Sequence, residues 1–495
     1  MPPFAPPHPA ALSVTAGPGP SLTGGRLAPR PEWRFALYAA GVVVVAVALR
    51  AVGIATWSLW EDEEGSLTRA HEDIFWGFQK YFPVFFYVLR KYVDLVGLSV
   101  GPLRALPAVA GVLSILFTMT GFRRHVSGGT AAVAGLLLAV NLGHLFFSQS
   151  VRYYTTVLAL EVLALAWFFD GFESARPEKL ALSLAALVVA LFTHFSALLT
   201  IPALLGYLAA ARAAGERRGG YRLTWCAAYA AAAGLIAAFF SWRMVLLQRE
   251  MIGGMAIPSQ RDPVHVATTV AAYFGLPLLA LGAAAPLLAR SLPRRTLLFL
   301  TAVAVIPVAE LLVLAGLNAV NVTWYYGLVA MPGFALLAAA TLTGPWVRGR
   351  RGAAVALAAI AFGYYLAHLG VYYTTAHGDR PRWAEAAEFL RRQTGLRPGN
   401  PDNPKVFATV PGTVGFYLGE HPSNPERFRV VKDLPKDPPE FPVADWYVVE
   451  VRVLPPKYQA WFAGRCAERA RFEARTGPVD RTVVVYEYRP TPPRD

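Results

Sequence analysis

From residue 35 onward the chain alternates between long apolar stretches and short polar loops. The apolar stretches lie near 35–56, 102–122, 130–148, 154–170, 179–194, 196–211, 224–247, 266–289, 296–317, 325–343 and 353–373. A hydrocarbon layer needs about 20 apolar residues per helical crossing. The pattern therefore predicts a polytopic α-helical membrane protein of about 11 spans. One apolar run fits poorly as a crossing. Pro83–Leu95 is short and carries Arg90, Lys91 and Asp94. With Val84, Val88 and Leu95 on roughly one face, it reads as an interfacial helix. Residues 57–101 then form one long loop of surface helices, a length usually tied to function.

Beyond residue 377 the pattern changes. Arg382–Gln393 places Trp383, Ala386, Ala387 and Leu390 at helical spacing and ends at Gly395, a C-terminal stop signal. Lys405–Val410, Trp446–Val453 and Thr482–Tyr488 read as strands between Pro- and Asn-rich turns. The expected organisation is a disordered cytoplasmic arm at 1–33, a multi-span domain at 34–376 and a small extracytoplasmic α/β domain at 377–495.

Composition agrees. Of 495 residues, 55% are hydrophobic, 16% charged and 13% aromatic, and the mean hydropathy is +0.40. A net charge of +14 would suggest a nucleic-acid partner in a soluble protein. Here the basic residues sit in short loops, where they set topology and meet anionic lipid. Arg26, Arg30, Arg34, Arg123, Arg124, Arg176, Lys179 and Arg212 fall on one side. With them go Arg217, Arg218, Arg222, Arg290, Arg294, Arg295, Arg348, Arg350 and Arg351. The positive-inside rule places that side in the cytoplasm and the 57–101 loop and the tail outside. Two cysteines, Cys226 and Cys466, make no disulfide framework.

The chemistry concentrates where spans meet the outer surface. Glu61-Asp62-Glu63-Glu64 follows the first span directly. Carboxylates are costly beside hydrocarbon, and Asp62 with Glu63 suits acid–base work or a metal on a diphosphate; the plain alternative is a solvated acidic loop. Arg152 stands against the positive-inside trend and could grip a phosphate, or snorkel beside Tyr153 and Tyr154. His194, Lys80 and Arg104 lie at the same level, each with a structural alternative: a tight-turn histidine, a headgroup-contacting lysine, an arginine on lipid phosphate. Tyr325 and Tyr326 belong to an aromatic belt first and to a substrate site second. Glu161 and Glu310 fall inside spans without an evident partner.

The order of these motifs resembles a known family. Trp57-Ser58-Leu59-Trp60-Glu61-Asp62-Glu63 leaves the first span, and Leu103-Arg104-Ala105-Leu106-Pro107 opens the second. Ser148-Gln149-Ser150-Val151-Arg152-Tyr153-Tyr154, Thr193-His194-Phe195 and Trp324-Tyr325-Tyr326 follow, the last running into Met331-Pro332-Gly333. Over roughly residues 35–380 the chain is similar to bacterial C-type (GT-C) glycosyltransferases, near the protein O-mannosyltransferase and lipid A aminoarabinose transferase branch. The resemblance implies a polyprenyl-phosphate-linked sugar as donor and Asp62, with Glu63, as catalytic acids. It also implies donor-phosphate contacts from Arg152, Arg104 and Lys80, and substrate contacts from His194, Tyr153, Tyr325 and Tyr326. Two departures leave the phosphate ligand and a divalent metal open: no acid lies between Gly143 and Leu160, and Lys80 leads into Tyr81-Phe82-Pro83.

The expected function is inverting sugar transfer at the extracytoplasmic face of a bacterial plasma membrane, with Asp62 as general base. The partners would be the lipid-linked donor and a glycan, lipid or protein acceptor. A transporter or flippase of lipid-linked glycans is the alternative. That class places ionisable groups near the midplane of repeated halves, whereas these cluster at span ends.

Overall fold

The computed structural model describes residues 32–73, 77, 79–252, 258–289, 292–318, 320–344, 351–397, 400, 402–419, 430–431, 444–451, 456–476 and 479–489. Nearly all of the expected arm at 1–33, and Arg26, Arg30, Arg290, Arg348 and Arg350, lie outside them. The helices of the bundle are α1 (Glu32–Ala51), α2 (Glu61–Ala70), α3 (Pro83–Val96), α4 (Val100–Phe122), α5 (Gly128–Val140) and α6 (Leu142–Ser148). There follow α7 (Tyr154–Glu173), α8 (Pro177–Thr193), α9 (Thr200–Ala213), α10 (Leu223–Leu247), α11 (Pro263–Phe274), α12 (Leu276–Leu288), α13 (Arg294–Gly316), α14 (Ala330–Thr343) and α15 (Arg351–Thr374).

Eight described helices are long and apolar enough to cross a membrane, or up to ten if each of two bent pairs is one span. The chain is a multi-pass membrane protein. The expected eleven is not reached: 179–194 is the 17-residue α8, and 130–148 and 266–289 are both broken. The breaks have local causes. Asn141 ends α5 and caps α6, accepting from the His144 N–H at 3.1 Å, and the two helices bend by 66°. Gly275 adopts φ +84° and lets α11 turn 95° into α12; a Cβ there would meet the Tyr365 hydroxyl at 2.8 Å. The freed Phe274 carbonyl accepts from Asn141 Nδ2 at 2.7 Å and from the Tyr365 hydroxyl at 2.9 Å. The residue that caps the first break thus also satisfies backbone freed at the second, as a low-dielectric interior requires.

Helix α14 is apolar all round and forms the centre of the bundle, buried along its length. Gly333 lets α13 approach it, since a Cβ would stand 2.9 Å from the Ala304 nitrogen. Small residues at such crossings are the usual device in membranes. Between α1 and α4, Arg50 is buried and its guanidinium lies 2.7 Å from His144 Nδ1. His144 Nε2 lies 2.9 Å from the Ser114 hydroxyl, which donates to the Gly111 carbonyl. A permanently protonated arginine must donate, so His144 accepts at Nδ1 and donates at Nε2. This network seats α6 against α1 and α4, and α6 delivers the Gln149–Arg152 loop.

The expected loop 57–101 holds α2 and α3. In α3, Phe85, Phe86, Leu89 and Val93 face the protein, while Tyr87, Val88 and Leu95 are exposed. The helix therefore carries a second apolar face outward.

After α15 comes α16 (Trp383–Thr394), ended by Gly395 at φ +64°. The strands are β1 (Val406–Ala408), β2 (Val430–Val431), β3 (Trp446–Glu450), β4 (Cys466–Phe472), β5 (Arg475–Thr476), β6 (Val479–Asp480) and β7 (Val483–Tyr488), with α17 (Pro411–Leu418) and α18 (Pro456–Arg465). Five strands form a mixed sheet in the order β2-β1-β3-β7-β4. β3 is parallel to β1 and antiparallel to β7. Trp383, Ala386 and Leu390 of α16 pack on one face of the sheet with Val448 and Val485. Phe462 of α18 packs on the other face with Tyr447. The helix and three strands expected in the tail are present as α16, β1, β3 and β7; β2, β5, β6 and the charge-rich β4 are strands the pattern does not predict.

Candidate functional site at the α2 end of the bundle

The first turn of α2 carries all four acids, and helical geometry sends neighbours in different directions. Consecutive residues are about 100° apart, so Asp62 and Glu63 do not share a surface. Glu63 points inward and is fully buried. Its carboxylate takes two bonds from Arg104, Nε at 2.8 Å and a terminal nitrogen at 2.7 Å. The Val151 N–H donates at 2.9 Å and the Trp60 N–H at 3.2 Å. Arg380 Nε lies 3.5 Å away. Burial alone would raise this carboxyl; Arg104, then Arg380 and the Val151 amide, outweigh it and hold Glu63 below the usual carboxylate range. Arg104 spends its remaining N–H groups on the Trp57 and Ser58 carbonyls, both at 2.8 Å, and the Ile54 carbonyl at 3.3 Å. Glu63 and Arg104, both expected at the site, are closed into one buried ion cluster.

Asp62 points the other way and is partly exposed, its Oδ2 3.6 Å from Arg152. Arg152 is buried and held by donation to the Asp62 carbonyl at 3.1 Å, the Ser66 hydroxyl at 3.0 Å and the Tyr153 hydroxyl at 2.9 Å. Its Nε–H, also buried, has no hydrogen-bond partner among the described residues. Burial works against the charge of Arg152, but Asp62 and the surrounding tyrosines outweigh it and push its pKa further up. The arginine is therefore a fixed cation whose Nε–H is unspent among the described residues.

Around this pair the expected aromatic residues converge from three separate elements. His194 ends α8 and stacks on Tyr153, centroids 4.1 Å apart and planes at 16°. Tyr154 lies 4.7 Å from Tyr325, and His194 lies 5.3 Å from Tyr326. The Ser196 amide donates to His194 Nδ1 at 3.1 Å. Burial, then the Arg152 charge, hold the ring well below its ordinary pKa. Tyr153, His194, Tyr325 and Tyr326 thus form one aromatic wall beside Arg152.

Lys80 belongs to a second cluster joined to the wall through rings. It pairs with Glu250 at 2.6 Å, and the Tyr81 hydroxyl donates to the same oxygen at 2.8 Å. Phe82 stacks on His194 at 5.1 Å. Arg243, near the end of α10, donates to the Lys80 carbonyl and leaves its Nε without a hydrogen-bond partner among the described residues. Arg243, Arg380 and Ser66 were not singled out from sequence. Ser66 carried a signal, lying one helical turn from Asp62; Arg243 inside an apolar run and Arg380 in a basic linker carried none that separated them from topology residues. Of the intramembrane acids, Glu161 accepts from the Thr200 hydroxyl at 2.8 Å. Glu310 leaves Oε2 without a hydrogen-bond partner among the described residues.

No group of three His, Cys, Asp or Glu side chains able to hold a metal occurs among the described residues. Asp62 faces a guanidinium where a metal site would need a second acid. The described donor set does not fit a divalent ion.

No protein-family model and no curated protein sequence matches the chain. Solved structures do. ArnT from Cupriavidus metallidurans in the apo state superposes with a TM-score of 0.57 at 16% identity, over 92% of this chain and 98% of that one. The same protein bound to undecaprenyl phosphate gives 0.55 at 16%, over 92% and 98%. The archaeal oligosaccharyltransferase AglB from Archaeoglobus fulgidus, in complex with an inhibitory peptide and a dolichol-phosphate, gives 0.51 at 14%, over 87% and 71%. At these identities the likeness is one of fold, and it spans the bundle and the α/β unit together. The chain has the fold of the GT-C membrane glycosyltransferases.

Proposed function

We propose that the protein transfers a sugar from a polyprenyl-phosphate-linked donor to an acceptor at the face of the membrane that carries α2. The single observation that carries this reading is the Asp62–Arg152 pair, a partly exposed carboxylate against a buried guanidinium, beside an aromatic wall. It is supported by the fold shared with ArnT bound to undecaprenyl phosphate and AglB with a dolichol-phosphate. The basic loops opposite α2 support a cytoplasmic N-terminus and an extracytoplasmic α/β unit; the setting we propose is a bacterial plasma membrane.

In the reaction, the acceptor hydroxyl attacks the anomeric carbon while Asp62 takes its proton. The bond from that carbon to the phosphate oxygen breaks on the opposite face, inverting the centre, and the negative charge returns to the polyprenyl phosphate. Arg152 stabilises that charge. Without donor, Arg152 is paired with Asp62. A donor phosphate competes for the guanidinium and leaves the carboxylate freer to act as base. Lys80, with Arg243 beside it, meets the same phosphate once Glu250 releases it. Glu63 and Arg104 hold the frame and touch no substrate. No step runs through a metal.

The test is transfer in proteoliposomes with a panel of radiolabelled polyprenyl-phosphate sugars. Label moving onto an acceptor supports the transferase. Label that only crosses the bilayer, never leaving its lipid, contradicts it and favours the flippase.

A further inference from the structure

Glu63 stands one residue from each member of the Asp62–Arg152 pair. It follows Asp62 in the chain, and its Oε1 accepts the N–H of Val151, which precedes Arg152. Any shift of that carboxylate moves the proposed base and the proposed phosphate ligand relative to each other. Arg104 holds it from α4; Arg380 holds it from the segment between α15 and α16.

Arg380 is fully buried. Its Nε lies 3.5 Å from Glu63 as an ion pair, and its guanidinium donates to the Gln149 carbonyl and the Ser150 hydroxyl, both at 2.8 Å. It therefore grips the loop that carries Arg152 at the two residues directly before the Val151 amide that bonds Glu63. Two arginines on one carboxylate are a poor means of gaining stability, because burying charge is expensive. They are a good means of fixing one geometry. The backbone that delivers Arg380 is itself constrained. His377, Gly378 and Asp379 have φ of +47°, +66° and +60°, and a Cβ on Gly378 would overlap Trp57 at 2.2 Å. Asp379 accepts from the Tyr273 hydroxyl of α11 at 2.7 Å and lies 3.4 Å from Arg481, which sits between β6 and β7. Tyr273 in turn stacks on Trp324, centroids 3.9 Å apart, next to Tyr325.

We propose that Arg380 is a positioning residue: through Glu63 and the Gln149–Val151 backbone it sets the separation of Asp62 and Arg152. Seating of the α/β unit through Arg481 and Asp379 is then a condition for a competent site. The inference deepens the transfer reading and rests on it for the roles of Asp62 and Arg152.

The test uses the full chain in detergent, as wild type, Arg380→Gln, Arg380→Lys and the milder Asp379→Asn. Hydrogen exchange is followed in peptides covering 58–70 and 146–153, and binding of undecaprenyl phosphate is measured in parallel. Arg380→Gln should speed exchange in both segments about tenfold or more, with α7 and α8 unchanged, and weaken undecaprenyl phosphate binding by ~10- to 100-fold. Arg380→Lys should recover part of both losses, and Asp379→Asn should shift both in the same direction by less. Unchanged exchange at 146–153, or exchange raised evenly across the chain, overturns the proposal; Asp379→Asn decides if Arg380→Gln does not fold. If the two segments loosen but wild type binds no undecaprenyl phosphate, the positioning role stands and the transfer reading falls.

Discussion

Two adjacent carboxylates, Asp62 and Glu63, carry opposite assignments, and the reason is the pitch of a helix. About 100° of rotation separates a solvent-facing acid from one sealed under two arginines. Sequence marks both as candidates and cannot say which turns inward; the structure turns Glu63 in and pairs it with Arg104. Arg152, His194 and the tyrosines stand out in the sequence because each is misplaced for its topology or sits at a span end, and the structure brings them together. Arg380 does not stand out, because its partner lies more than three hundred positions away. The depressed pKa of Glu63 has a consequence. A carboxyl held below its unfolded value contributes stability at neutral pH that is lost as pH falls through the folded value. Thermal unfolding in detergent should therefore show a steep loss of stability on acidification below the ordinary carboxylate range, and Glu63→Gln should flatten it. Glu63→Ala, which leaves two buried guanidinium groups uncompensated, should cost about 3–5 kcal/mol. An unchanged pH slope in Glu63→Gln would refute the linkage.

Among the elements, the two broken spans show what apolar patterning hides. Hydropathy runs evenly through 130–148 and 266–289, yet Asn141 and Gly275 each stop a helix and turn the chain. The signals were local, a cap residue and a Gly-Leu-Pro sequence, and the period of the apolar positions carried neither. Charged β4 escaped for the complementary reason: paired at the edge of the sheet, it keeps an exposed face and never alternates cleanly. Close helix approach gives an element-scale prediction. Gly333→Ala puts a methyl against the α13 backbone, where nothing flexible can yield, and should destabilise the bundle by about 1–3 kcal/mol. A melting temperature equal to wild type would show that α13 and α14 can part without cost.

For the whole molecule, membrane character and a separate α/β region were readable from composition and patterning alone. What patterning could not supply was how the α/β unit meets the bundle, because that seam consists of single contacts such as Ser58 with Glu385 and Leu59 with Tyr417. Orientation is testable at this scale. A membrane-impermeant maleimide should label Asp402→Cys in intact cells, and Arg217→Cys only after permeabilisation; the reverse pattern would invert the topology and remove the site from the outer face.

The most direct measurement is single-turnover transfer by Asp62→Asn against wild type, at matched levels of folded protein, with undecaprenyl phosphate binding measured on the same samples. The account predicts a ~100- to 10,000-fold loss of the chemical step with binding retained, because the carboxamide keeps the shape of Asp62 but cannot take the proton. Transfer at the wild-type rate in Asp62→Asn would contradict it.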